Sequence, residues 1–124
     1  MIALDSSSLI AYLSGDPGDD VEAVDAALRA KQGVLPPVVL CEVLSDPKLP
    51  DTVASVLLDI PLLAPTDGYW ERAGRLRSRL LARGRKAPLA DSLIAQTCLD
   101  YDVPLVTRDL DFRPLATFAG LRLA

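Results

Sequence analysis

Short apolar runs alternate with longer amphipathic stretches along this chain, and this alternation restricts its fold more than any other feature. The runs predict four buried strands and a last strand near the end of the chain: Ile2–Leu4, Val34–Leu35, Ile60–Leu63, Val103–Thr107 and Leu121–Leu123. Strands that alternate with helices usually pair in parallel, because each helix carries the chain back across the sheet. The pattern therefore predicts an α/β fold with a mainly parallel central sheet.

The stretches between the strands show helical periodicity and recognisable helix ends. Pro36-Pro37 and Pro88 are placed to begin helices, and Gly33 and Gly84 are placed to end them. The predicted helices are Ser6–Leu13, Asp19–Lys31, Pro37–Ser45, Asp51–Leu58, Gly68–Arg83 and Pro88–Asp100, with Thr66 and Asp67 as candidate caps of the fifth. No repeat or linker divides the 124 residues, so we expect one domain spanning residues 1–124.

The chain contains no histidine, and this excludes several classes of enzyme. Ser-His-Asp triads, Cys-His pairs, paired-histidine ribonucleases and histidine-ligated zinc are all ruled out. Cys41 and Cys98 lie among apolar neighbours without a CxxC spacing, so we expect both to be buried core residues. Any acid, base or metal chemistry must therefore depend on carboxylates.

The sequence predicts neither export nor membrane insertion. The N-terminal segment MIALDSSSLIAYL lacks a basic leading region and reaches Asp5 after three apolar residues, unlike a signal peptide. No run of about 18 uncharged apolar residues is present, as a membrane-spanning helix would require. We expect a soluble, cytoplasmic protein that does not act at a membrane.

Four carboxylates occupy positions where acids are unusual. Asp5 and Asp109 follow predicted strands at their carboxyl ends, where open parallel sheets bind ligands. Glu42 is the only charged residue from Val34 to Ser45, in a helix that is apolar nearly all round and that we expect to be buried. Asp91 shares the apolar stripe of its own helix. Together these placements predict an acidic pocket.

Each of these acids also has an ordinary structural explanation. Asp5 could cap a helix, and Asp109 could be a turn residue. Glu42 could occupy an exposed edge, and Asp91 could be a first-turn acid favoured by the helix dipole. If the four converge, the pocket needs a counter-charge, supplied either by lysine and arginine or by a metal ion. For a metal, all-oxygen ligation without histidine selects Mg²⁺ or Mn²⁺. Such a site suits phosphodiester hydrolysis by a metal-activated water.

Seven basic residues and no acid lie between Arg72 and Lys86, although the whole chain has a formal net charge of −4. Four of them share one helical stripe: Arg72, Arg75, Arg79 and Arg83. Arginine forks bind phosphate groups, so this stripe is a candidate for holding a nucleic-acid backbone next to the acidic pocket. The alternative is a solvated face that aids solubility or meets an acidic partner protein.

Three segments together resemble the PIN domains, in particular the VapC-type toxins of toxin–antitoxin pairs. IALDSSSLIAYLSGD resembles the family's first strand, aspartate, hydroxyl residue and short helix, and LCEVLSD resembles its helical glutamate motif. APLADSLIAQTCLDYDVPLVTRDLDF resembles its third-acid helix, closing strand and final acidic loop. The resemblance covers essentially the whole chain. It implies an α/β/α sandwich that acts as a metal-dependent ribonuclease, is usually a homodimer and is inhibited by a cognate VapB-like antitoxin.

The resemblance also implies a candidate site for Mg²⁺ or Mn²⁺. Its catalytic acids would be Asp5, Glu42, Asp91 and Asp109. Asp5, Asp91 and Asp109 match metal ligands, whereas Glu42 would position the metal or a water. Ser6 and Thr107 match the hydroxyls that brace the site. The last loop reads T-x-D-x-D-F where many relatives have T-x-N-x-x-D-F, so Asp111 is a further possible ligand, and we favour Asp109 because it is nearest the strand end.

Two other functions fit parts of the sequence. A receiver-type phosphoacceptor domain has this length, a parallel sheet and an acidic Mg²⁺ pocket. It needs paired acids at the first strand end and a lysine after a late strand, whereas this chain has Asp5 alone and no such lysine. A catalytically inactive PIN-like interaction module would keep the fold without cleavage. Labelling by a small phosphodonor identifies the receiver domain, and an RNA cleavage assay distinguishes the interaction module.

Overall fold

The fold is built on a short parallel sheet. The computed structural model describes residues 1–124. Strand β1 (Ile2–Leu4) lies in the centre of the sheet, between β2 (Gly33–Val34) and β3 (Leu105–Val106). Both strand pairs are parallel, with Ala3 opposite Val34 on one side and opposite Leu105 on the other. The predicted α/β class with a parallel sheet is confirmed.

Seven α-helices flank this sheet. They are α1 (Ser6–Leu13), α2 (Asp19–Arg29), α3 (Pro37–Leu44), α4 (Asp51–Leu58), α5 (Tyr69–Ala82), α6 (Leu89–Tyr101) and α7 (Arg113–Ala119). Helix α1 packs against α2 and α3, whereas α5 packs against α6 and α7. A cluster of 24 buried apolar residues runs through these elements, and Ala3 and Leu4 of β1 are fully buried within it. None of the helices combines the length and the hydropathy that crossing a membrane requires.

Two helix ends differ from the prediction for local reasons. Helix α2 ends at Arg29, because Lys31 adopts a left-handed conformation with φ of 55° and the chain then enters β2. Gly33, which the sequence predicted to end this helix, is the first residue of β2. Helix α5 begins after Gly68, whose φ is 78°, and no side chain caps it. The prediction that Thr66 or Asp67 caps this helix is wrong.

Two of the predicted strands are reduced to single parallel bridges. Leu62 pairs with Leu35, and Leu123 pairs with Leu105, each at one position only. Strand β3 is two residues long where five were predicted. Prolines account for two of these differences, because Pro61 and Pro104 have no N–H group to donate to a strand ladder. Each still accepts a hydrogen bond through its carbonyl oxygen.

Helix α3 is not buried all round, contrary to what its apolar composition predicted. Val39 and Val43 lie in the core, whereas Cys41 and Glu42 are exposed and Leu44 is 41% exposed. Neighbouring helices α1, α4 and α6 cover only one side of α3. The expectation that both cysteines are core residues is thus correct for Cys98 and wrong for Cys41.

Candidate metal centre

Strands β1 and β3 end side by side, and the residues that follow them meet at the carboxyl edge of the sheet. Leu4 is in register with Val106, so Asp5 and Thr107 emerge together. Thr107 Oγ1 donates a hydrogen bond of 2.7 Å to Asp5 Oδ2, and Ser7 Oγ donates one of 2.6 Å to the same oxygen. Asp5 is only 3% exposed. The two hydroxyls therefore orient a buried carboxylate through one of its two oxygens.

Asp5 occupies the N-cap position of α1 but does not cap the helix. Its side chain accepts no hydrogen bond from the first backbone N–H groups of α1, so the capping explanation does not describe this residue. Ser7 Oγ also lies 3.2 Å from Thr107 Oγ1, which closes a triangle of three polar groups. Sequence reasoning assigned no role to Ser7; the available signal was its place two residues after Asp5.

Three further carboxylates lie close together beside this triangle. Asp91 stands in the first turn of α6. Asp109 and Asp111 follow β3, where Asp109 caps a short 3-10 helix (Leu110–Phe112) that contains Asp111. Each of the three offers an oxygen, and these oxygens lie within 4.8 Å of one another. The Asp111 N–H donates to Asp109 Oδ1 at 2.9 Å, and the Asp109 N–H donates to Thr107 Oγ1 at 3.0 Å. Asp109 is thus a turn residue and also belongs to this cluster. We call the three together with Asp5 and Glu42, whose charges also act on Asp91, the acidic group.

The Asp91 carboxyl group shows the strongest electrostatic effect in the site. The pKa of Asp91 is raised to about 7, and burial is the largest cause. The negative charges of four neighbours also contribute to this shift, in decreasing order Asp109, Asp5, Asp111 and Glu42. A helix dipole favours the ionised form of a first-turn acid and would lower the pKa. Burial and repulsion outweigh that effect, so the helix dipole does not explain why an acid stands here.

Glu42 lies at the side of the acidic group and is bound by a different hydroxyl. Ser6 Oγ donates a hydrogen bond of 3.1 Å to Glu42 Oε1. Partial burial of the carboxyl group raises the pKa of Glu42, the Ser6 hydrogen bond lowers it, and the charge of Asp5 raises it. The residue as a whole is exposed, so the expectation of a buried carboxylate is wrong. Ser6 therefore contacts Glu42, whereas Ser7 and Thr107 contact Asp5.

One cation reaches the acidic group. Lys86 Nζ lies 3.0 Å from Asp111 Oδ2, and this contact raises the pKa of Lys86, with smaller contributions from Asp109 and Asp91. The Lys86 side chain is 73% exposed, so water screens the pair and it is weak. A single exposed lysine does not neutralise five carboxylates. Sequence reasoning placed Lys86 in the basic segment and missed this contact.

Arg108 ties the acidic loop to the start of α2. Its Nε and Nη2 atoms bind the two oxygens of Asp20 at 2.8 and 3.0 Å, and this hydrogen bonding lowers the pKa of Asp20 to about 2. Gly18 adopts a φ of +149°. A side chain at this position would collide with the carboxylate that binds Arg108, because a Cβ atom would lie 2.6 Å from Asp20 Oδ1. Sequence reasoning gave Asp20 no role, because the two partners are 88 positions apart.

The donor set fits a hard divalent cation. Its oxygens come from carboxylates alone, and Mg²⁺ and Mn²⁺ prefer such ligands. The raised pKa of Asp91 means that its carboxyl group takes up a proton more readily than an ordinary aspartate does. An added positive charge is therefore favourable among these carboxylates. A metal ion that binds carboxylates displaces such a proton. The residues present are therefore chemically suited to hold a metal.

The predicted arginine stripe divides into two parts. Arg72 Nη2 lies 2.6 Å from Asp100 Oδ2, and the same guanidinium donates to Thr66 Oγ1 and to the Asp67 carbonyl oxygen. Arg72 therefore joins α5 to α6 and to the loop before α5. The other members are exposed and form no ion pair: Arg75, Arg79 and Arg83.

Comparison with known proteins assigns the family. The sequence profile of the PIN domain family matches residues 2–117, so the chain belongs to this family. PIN domains are generally nucleases. The resemblance noted in the sequence is thereby confirmed at the level of the family. A comparison with curated proteins finds no significant match.

Three solved structures share this fold. VapBC2 from Rickettsia felis, bound to a DNA fragment from its promoter, has 22% identity and a TM-score of 0.71, over 100% of this chain and 98% of that chain. FitAcB from Neisseria gonorrhoeae has 20% identity and a TM-score of 0.71, over 99% and 96% of the two chains. FitAB bound to an IR36 DNA fragment has 19% identity and a TM-score of 0.75, over 100% and 94%. The predicted PIN-like fold is confirmed.

Proposed function

We propose that this PIN domain is a metal-dependent endoribonuclease and the toxin component of a toxin–antitoxin pair. The single observation that carries the catalytic part is the convergence of five carboxylates at the carboxyl edge of the sheet with one exposed lysine as counter-charge. An arrangement that costs repulsive energy without a ligand is typical of a metal site. Its position beyond the strand ends is where open α/β sheets bind their ligands.

Some residues of this chain would hold the cation, and others orient the carboxylates that hold it. Asp5, Asp91 and Asp109 would hold Mg²⁺ or Mn²⁺, with Asp111 as a supplementary ligand. Thr107 and Ser7 keep the Asp5 carboxylate in one orientation. When bound, such a cation lowers the pKa of a water molecule and offsets the negative charge that grows on a phosphodiester.

One proton movement follows from the raised pKa of Asp91. Its pKa of about 7 means that this carboxyl group is partly protonated near neutral pH in the metal-free protein, and it would release that proton as the cation binds. Glu42, held by Ser6, would orient the attacking water beside the scissile phosphate. In-line attack by that water would leave a 5′-phosphate and a 3′-hydroxyl. We expect both steps to be slower at low pH, where the carboxylates are protonated.

The toxin assignment depends on the complexes in which proteins of similar fold are found. VapBC2 is a complex bound to promoter DNA, and FitAB is likewise bound to DNA. By analogy, this chain would be inhibited by a VapB-like antitoxin that binds DNA, and it would act as a homodimer in the cytoplasm on RNA. Co-purification with the product of a small neighbouring gene would test the antitoxin part separately from catalysis.

The decisive experiment measures cleavage of end-labelled RNA by the wild-type protein and by Asp91→Asn, each with Mg²⁺, Mn²⁺ or EDTA. The matched control is Asp51→Asn, which removes an exposed first-turn aspartate of α4 and leaves the acidic group intact. We expect metal-dependent cleavage by the wild type and the control, and none by Asp91→Asn. Equal cleavage by all three proteins would reject the site, and absence of cleavage throughout would favour an inactive interaction module.

Metal binding can be measured without activity. Thermal unfolding of the wild type and Asp51→Asn should shift to higher temperature as Mg²⁺ is added, since a ligand that binds the folded state stabilises it. Asp91→Asn should show a smaller shift. An equal shift in all three proteins would mean that Mg²⁺ binds elsewhere.

A further inference from the structure

The cations without acidic partners concentrate on one part of the molecule. Five of the 13 lysines and arginines form ion pairs: Arg29, Arg72, Lys86, Arg108 and Arg122. Of the remaining eight, only Lys31 and Lys48 lie outside α5, the turn after it and the first residue of α7. The other six are Arg75, Arg77, Arg79, Arg83, Arg85 and Arg113. A chain of net charge −4 therefore carries one concentrated positive region.

Two of these arginines share one aromatic ring. The guanidinium carbons of Arg83 and Arg85 each lie 4.9 Å from the centre of the Phe118 ring, and Phe118 remains 38% exposed. Gly84 makes this possible, because its φ of +69° turns the chain so that the residues on both sides reach α7. Cation–π contacts hold both guanidiniums, although two like charges so close repel each other.

Arg79 borders the same place. It lines a small hollow together with Arg83 and Phe118, one helical turn back along α5. We call Arg79, Arg83, Arg85 and Phe118 the α5–α7 face. An anion placed between its three arginines would relieve their repulsion and accept their forked N–H donors.

The α5–α7 face adjoins the acidic group through the backbone. Arg85 is followed directly by Lys86, whose ammonium group contacts Asp111. The chain therefore passes in one residue from the Phe118 contact to the edge of the candidate metal centre. A polyanion that approaches five carboxylates is repelled by them, so it needs an attractive surface close by.

We propose that the α5–α7 face binds the phosphodiester backbone of single-stranded RNA next to the acidic group. Arg79, Arg83 and Arg85 contact phosphates, and Phe118 positions two of the guanidiniums and offers its exposed part to a base. This inference rests on the proposed function, whose substrate it places. The charge pattern favours RNA over an acidic protein, because phosphates recur along a strand and each accepts a guanidinium fork.

The test measures binding of a fluorescently labelled single-stranded RNA by anisotropy in EDTA, with every protein carrying Asp91→Asn so that the RNA stays intact. The test variant adds Arg83→Ala and Arg85→Ala. The matched control adds Lys31→Ala and Lys48→Ala, which remove two exposed, unpaired cations elsewhere. Salt is varied from about 50 to 300 mM, since phosphate contacts make affinity depend on salt.

We expect the arginine variant to bind RNA about tenfold more weakly than the control. The slope of log affinity against log salt should fall by about 1.4, because each phosphate contact to a single strand contributes about 0.7. Phe118→Ala should weaken binding about threefold and keep the slope, since it removes no charge. Equal affinity and slope in the arginine and lysine variants would overturn the proposal.

Competition separates this partner from others. Unlabelled single-stranded RNA should displace the labelled strand, whereas polyglutamate or duplex DNA at equal charge should do so at least tenfold less well. Displacement by polyglutamate at equal charge would assign the face to an acidic protein, and equal displacement by the duplex would assign it to DNA. This assay measures binding and not cleavage, so RNA binding at the α5–α7 face combined with no cleavage by the wild-type protein would contradict the proposed function alone.

Discussion

The acidic group and the α5–α7 face carry opposite charges and are built in opposite ways. The acidic group takes its members from the residue after β1, from α3 and α6, and from the segment after β3. Its hydrogen bond between Thr107 and Asp5 spans 102 positions. The basic face takes three of its four members from one short segment. Its arginines are exposed to water, whereas burial raises the pKa of Asp91 to about 7.

This difference shows what each charged surface can do. Like charges that are partly withdrawn from water repel strongly, so the acidic group is suited to a small ion of high charge. Like charges on an exposed surface are screened by salt within about 10 Å, so the basic face costs the fold little. The first surface would hold a cation, and the second would hold a long polyanion.

The strongest test of the acidic group compares its two loop members. Asp109→Asn should reduce cleavage at least about 100-fold, since even residues that only support a ligand contribute about 10- to 100-fold. Asp111→Asn should cost about tenfold, because Lys86 already engages that carboxylate. Asparagine at either position keeps a side-chain oxygen, so the Asp109 turn can persist. An equal or larger loss in Asp111→Asn would make Asp111 the principal ligand.

The Arg108–Asp20 ion pair should affect cleavage by positioning the acidic loop. Arg108→Ala and Asp20→Asn should each reduce the cleavage rate about tenfold, because a loosened loop no longer presents Asp109 in one place. The double variant should lose little more than either single variant, as expected for contacting partners. Arg29→Ala breaks a more exposed ion pair, with Asp25, and should leave the rate unchanged. Additive losses would show that the two residues act independently.

Stability in EDTA should depend on pH through Asp91. Its pKa lies near 7 in the folded protein and near its ordinary value of 3.8 when unfolded. The folded state therefore holds a proton that the unfolded state has lost, and stability falls as pH rises from about 4 to about 7. We expect a loss of about 1 kcal/mol, since the side chain is only half-buried. Asp91→Asn should lack this loss in thermal unfolding. If the wild type and Asp91→Asn have the same pH profile, burial and repulsion by the neighbouring carboxylates do not act on Asp91 as described.

The smallest expected effect concerns the counter-charge. Lys86→Met should tighten Mg²⁺ binding two- to threefold by calorimetry, because the lysine competes with the metal for Asp111 and the exposed pair is weak. Lys48→Met is the control, since Lys48 forms no ion pair. Weaker Mg²⁺ binding in Lys86→Met would mean that the lysine supports the metal site rather than competing with it.

Some elements were predictable because their causes are local. Strand β1 and helices α1 and α4 have the predicted bounds, since apolar runs and short-range periodicity define them. The acids at the ends of β1 and β3 could be identified because parallel strands bring their carboxyl ends to one edge. The same reasoning failed for α3, where composition cannot reveal that neighbouring helices cover one side only.

The contacts that orient the acids could not be read from the sequence. In the serine run after Asp5, helix geometry directs Ser6 to Glu42 and Ser7 to Asp5 and Thr107. Nothing local distinguishes these two serines. Likewise, Arg72 and Arg79 occupy equivalent stripe positions, but only Arg72 lies opposite Asp100.

The sequence by itself determined the alternation of strands and helices, the absence of histidine and the choice of carboxylates as the chemical groups. These properties depend on residue type and spacing within one turn or one strand. Tertiary structure decided which hydroxyl binds which acid, that Lys86 contacts Asp111 and Arg108 pairs with Asp20, and that Phe118 contacts two arginines. Apart from the bond between Ser7 and Asp5, these contacts join residues far apart in the chain, so their geometry exists only after the helices pack against the sheet.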